Sequence, residues 1–119
     1  MLESLKSRGG KRWPRGQKFT LSAAGAAAET TYREAVATAR AQGRGALETA
    51  QQAWAEPLRV QPSDGVVLSE LRSGKKSIAE LALGLQDCGV TQPEVKAAID
   101  RLTDALLVEP AIVPSEVAA

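Results

Sequence analysis

The sequence predicts a mainly α fold with a small β element. Three observations predict it: three short helical patterns in the second half, two of them opened by Ser or Thr caps, an alanine-rich run in the first, and an extended apolar stretch after the last helix. The expected organisation is a basic arm over residues 1–21, an alanine-rich helical segment over 22–56, a linker over 57–65, a three-helix domain with a short β wing over 66–113, and a tail over 114–119.

The arm comes first. Residues 1–20 hold Lys6, Arg8, Lys11, Arg12, Arg15 and Lys18 against Glu3, a net of +5. With Gly9, Gly10, Pro14 and Gly16 among them, burial cannot offset the entropy of ordering, so a mobile segment is expected. From Ser22 the chain turns alanine-rich, with Tyr32, Val36 and Ala39 at helical spacing. Ser22 suits an N-cap and Gly43 a stop. A second stretch from Ala46 to Ala55 carries Leu47 and Trp54, so two helices are expected, with one long helix as the alternative. Stripes this thin are weakly stable alone, which makes pairing into a homodimer through residues 23–55 an option.

Pro57 to Gly65 reads as a linker, with a short strand conceivable at Leu58 and Val60. The first helix of the next segment has Val67, Leu68 and Leu71 on its apolar side and stops at Ser73-Gly74. Ser77 then pairs with Glu80, and Thr91 with Glu94, as two capping boxes. Pro93 suits a first helical turn. Ile78, Leu81, Ala82 and Leu85 share one face of the second helix. In the third, Val95, Ile99, Leu102 and Leu106 form an inward stripe. Leu107 to Val113 suits a single strand or a short hairpin.

The Gly-Lys-Lys-Ser lead into the second helix, "SIAELA", the Thr-capped third helix, "AIDRL" and "LLVEP" resemble the winged helix over about 50 residues. Two kinds of relative share that pattern, the bacterial winged-helix transcription regulators and the winged-helix peptide-recognition domains. The first likeness implies a helix-turn-helix that binds DNA. The second implies capture of a partner peptide. The stretch Leu83 to Val90 is longer than a standard helix-turn-helix turn, and an alanine-rich segment stands where the peptide binders carry a strand meander.

Composition narrows the function. Histidine is absent, and Cys88 is the single cysteine. Catalytic triads and ordinary zinc sites are therefore out of reach, and no cofactor or enzymatic role is expected. Cys88 reads as a small buried residue. No run approaches the roughly 18 apolar residues of a membrane span, and the N-terminus lacks a secretory h-region, so a cytoplasmic location is expected. The basic, serine-bearing first residues leave an organelle transit peptide open.

Charge is unevenly placed, since residues 61–119 hold five basic against nine acidic side chains, a net of −4. In the arm, Arg12, Trp13, Arg15, Lys18 and Phe19 interleave cations with rings, as single-strand binders and wedging proteins do. The plainer reading is that Trp13 and Phe19 anchor the arm on the protein's own core. On the third helix Gln92 is a candidate for a base edge and Lys96 for phosphate, with Lys75 and Lys76 ahead of the second helix as further phosphate contacts. Glu94, Asp100 and Asp104 oppose such docking. Two roles follow. One is a regulatory or architectural protein with nucleic-acid affinity through the basic arm. The other is an adaptor whose acidic domain binds a partner protein or peptide by a groove or strand edge, or a small subunit of a larger assembly.

Overall fold

The computed structural model describes residues 13–111. The chain is mainly helical with a small antiparallel sheet. In order it forms β1 (Lys18–Leu21), α1 (Ala23–Arg40), α2 (Arg44–Leu58), α3 (Asp64–Leu71), β2 (Lys76–Ser77), α4 (Ile78–Leu85), a 3-10 turn (Gln86–Cys88), α5 (Gln92–Asp104) and β3 (Val108–Pro110). The sheet order is β2-β1-β3. Phe19 pairs with Lys76 on one side and Pro110 on the other, and Leu21 pairs with Val108.

The position of β1 differs from expectation. Lys18–Leu21 lies within the segment read as a mobile arm, yet it is the middle strand, and Phe19 is fully buried. Burial of Phe19, the packing of Trp13 on it and strand pairing on both sides together offset the ordering entropy of the segment. Of the rest of that segment, Lys6, Arg8, Lys11 and Arg12 lie outside the described residues.

Ser22 couples β1 to α1. Its hydroxyl accepts the Gly25 amide at 3.0 Å as an N-cap and donates to the Leu106 carbonyl at 2.6 Å. Its own amide donates to the Leu107 carbonyl at 3.0 Å. Gly25 faces that same carbonyl, where a Cβ would collide with backbone. The alanine-rich segment is two helices, α1 and α2, with the break at Gly43. They meet through Tyr32 and Trp54, whose ring centroids lie 4.9 Å apart, and the Trp54 indole donates to the Ala28 carbonyl at 2.9 Å. No strand forms at Leu58 and Val60. Leu58 ends α2, which carries Pro57 in its last turn and closes on a left-handed Arg59.

Both capping boxes form, at Ser77/Glu80 and Thr91/Glu94. Leu81, Val95, Ile99 and Leu102 are fully buried, Leu85 nearly so, and Ile78 packs half-buried at the rim. Leu106 departs from the expected inward stripe, being 74% exposed. The reason is the end of α5. Leu106 turns left-handed at φ 64, its amide reaching Thr103 O and the Leu107 amide Leu102 O, so Leu107 takes the buried place. Cys88 also departs, since the 3-10 turn leaves it exposed.

Two carboxylates are buried, and neither was foreseen as such. Asp64 takes a two-pronged contact from Arg101 and caps the Gln61 amide. Glu29 meets Arg33 at 2.8 Å and Arg72 at 3.6 Å, with Ser69 donating to it at 3.4 Å. The first pair joins α3 to α5, the second α1 to α3.

Candidate functional site

A groove of about 1070 Å³ opens between the N-terminal turn ahead of β1 and the first turns of α4 and α5. The turn is closed by the Gln17 amide donating to the Pro14 carbonyl at 3.0 Å, with Gly16 at φ 78. That positive φ is what a type II turn requires at its third residue, and glycine supplies it without strain. The Gln17 side-chain amide donates to the carbonyls of Lys18 and Ala111, at 2.8 and 3.0 Å, fixing the turn to the sheet.

Trp13 forms one wall. It stands edge-on to Phe19, with centroids 5.0 Å apart at 86°, and its indole donates to Asp100 Oδ1 at 3.1 Å. The other oxygen of Asp100 accepts from Lys96 Nζ at 2.6 Å. Asp100 therefore positions an aromatic wall and a cation of the groove together. Opposite stand Ser77, Ile78 and Ala79 from the start of α4, and Gln92 and Pro93 from the start of α5.

The candidate residues divide clearly. Trp13, Arg15, Gln92 and Lys96, picked from two separate segments, line this one groove. Phe19 does not, because it lies in the core and can stack on nothing outside. Lys18 is paired with Glu80 at 3.4 Å and Lys76 with Glu70 at 2.9 Å, while Lys75 is exposed, all three outside the groove lining. Sequence reasoning missed Asp100 as the organiser of the wall. Its spacing of four from Lys96 was the available signal.

Among the described residues, Arg15 and Lys96 are the charged members of the lining and no carboxylate belongs to it. Glu80 and Glu94 sit nearby at the helix starts but are turned back into the caps. The Ser77 amide and then Lys18 hold the Glu80 carboxyl below its ordinary range, and the Thr91 amide and hydroxyl do the same for Glu94. The groove thus combines apolar walls with the Arg15 cation and with Lys96, which is paired to Asp100.

Among the described residues no group of three His, Cys, Asp or Glu side chains could hold a metal ion, and no helix is long and apolar enough to cross a membrane. No protein family, curated protein or solved structure matches the chain.

Proposed function

We propose that this is a non-catalytic, winged-helix-like regulatory or architectural protein that binds nucleic acid through the groove and the basic residues preceding Trp13. The fold part of the reading is supported by three short helices, α3, α4 and α5, followed by an antiparallel strand. The middle strand of its sheet comes from ahead of the helices, not from a hairpin behind them.

One observation carries the functional part. Trp13, Arg15, Gln92 and Lys96 converge on a single groove whose lining holds cations and no carboxylate. Lys6, Arg8, Lys11 and Arg12 precede Trp13 in the chain, so further cationic charge is tethered to the groove wall. A polyanion would release counterions on docking, and its affinity would fall steeply with salt. A band-shift titration of the full chain at about 50 and about 200 mM salt tests this. The expected result is binding at the lower salt that weakens by roughly two to three orders of magnitude at the higher, for roughly six phosphate contacts. No binding at the lower salt would end the proposal.

A second reading, an adaptor for a partner protein, is favoured by one observation. Lys18, Lys76 and Lys96 each already face a carboxylate, which lowers their pull on phosphate. Retention of a protein partner that resists salt and ignores Arg15→Glu would favour the adaptor.

A further inference from the structure

The shape and chemistry of the groove discriminate between forms of nucleic acid. A duplex keeps its base faces stacked inside and presents phosphates outward, and it docks on surfaces rich in cations. This lining offers two cations, Arg15 and Lys96, set among Trp13, Pro14, Ile78 and Pro93. Whatever phosphates the basic residues ahead of Trp13 take up, a duplex gives these apolar walls nothing to cover.

A single strand has the complementary make-up. Each nucleotide carries an uncovered base face beside one phosphate, and sites for it combine aromatic or apolar platforms with a few cations. Resting on the nucleic-acid reading above, we infer that the groove takes single-stranded nucleic acid. The bases lie between the Trp13 and Pro14 wall and Ile78 opposite it, and the phosphates meet Arg15 and Lys96. Gln92, exposed at the first position of α5, presents its amide to a base edge.

The test is fluorescence anisotropy on the full chain with a labelled mixed-sequence DNA strand of about 12 nucleotides, and with its duplex, each at about 50 and about 200 mM salt. The single strand should bind about tenfold tighter than the duplex. It should also quench tryptophan emission, and because Trp54 is 6% exposed the quench reports Trp13. Arg15→Glu and Lys96→Gln should each weaken the single strand and flatten its salt slope by about 0.7, while Lys75→Glu, outside the lining, should not.

Duplex binding as tight as single-strand binding overturns this inference and leaves the nucleic-acid reading standing. Binding of neither overturns both. Single-strand binding that Arg15→Glu and Lys96→Gln leave unchanged removes the groove as the site. Polyglutamate that competes as well as the strand overturns the inference too, because charge alone would then explain the binding.

Discussion

Arg101 on α5 grips the fully buried carboxylate of Asp64 at the start of α3, with Nη2 2.7 Å from Oδ1 and Nε 2.9 Å from Oδ2. The hydrogen bonds to Asp64 also raise the Arg101 pKa above its ordinary value. Such a fork matches guanidinium to carboxylate in one plane, and it fixes the angle between two helices. Arg101→Met leaves the carboxylate buried with only the Gln61 amide to meet its charge. The expected loss is about 3 kcal/mol in urea unfolding, the lower end for a broken buried pair because Arg101 is partly exposed. A loss below about 1 kcal/mol would show that water replaces the guanidinium.

Two glycine substitutions should move stability in opposite directions. Gly25→Ala places a Cβ against the Leu107 carbonyl, which Ser22 holds from the other side. The clash outweighs the helix propensity gained, for a net cost of about 2 kcal/mol. Gly45→Ala, in the first turn of α2, meets nothing within 4 Å. It should stabilise by up to about 1 kcal/mol. Thermal melts of both variants check the pair, and matching signs would contradict the packing at Leu107.

Acid should unfold the protein partly through its caps. Glu80 and Glu94 bind protons less readily in the fold than at their ordinary value of about 4.5. Their contribution is therefore complete above that value and is lost as pH falls through the lower folded value. The Glu80→Gln/Glu94→Gln variant keeps the cap acceptors without the titration. Melting temperatures from about pH 6 to about pH 3 should fall less steeply for it than for the parent.

Asp100→Asn should separate the two jobs of that residue. Asparagine can still accept from the Trp13 indole, but it no longer neutralises Lys96. Affinity for a nucleic acid should rise at low salt, because one negative charge leaves the groove wall. Weaker binding with an unchanged tryptophan spectrum would mean that the groove prefers a cationic ligand.

A fragment of residues 64–119 should not fold. It lacks the middle strand of the sheet and the buried ring of Phe19. Loss of a core aromatic alone costs about 3–5 kcal/mol, comparable to the whole stability of a small domain. Poor amide dispersion in its proton spectrum is expected, and native-like dispersion would contradict the role given to β1.

Much of the fold was legible where the determinants are local. The Ser77/Glu80 and Thr91/Glu94 boxes need only neighbours three residues apart, and Val95, Ile99 and Leu102 follow the helical period. Determinants distant in sequence were hidden. β1 is short and set among basic residues, and its partners lie far along the chain. Asp64 looked like a turn residue because Arg101 stands on another helix. Leu106 continued the stripe one turn too far because the left-handed close of α5 is decided by Leu107. In the site, charge and ring chemistry singled out Trp13, Arg15, Gln92 and Lys96 individually. Their convergence depends on where β1 runs, which sequence spacing does not encode.

The middle place of β1 has a consequence for how the protein is made. The ribosome delivers Phe19 early, but β2 follows only after two long helices, and β3 comes later still. The alanine-rich hairpin, built from contacts near in sequence, can form while synthesis continues, whereas the sheet must wait for Val108–Pro110 to emerge. Until then the ring of Phe19 stays uncovered, so the nascent chain carries its most deeply buried aromatic exposed to chaperones and to its neighbours while residues 20–107 are made.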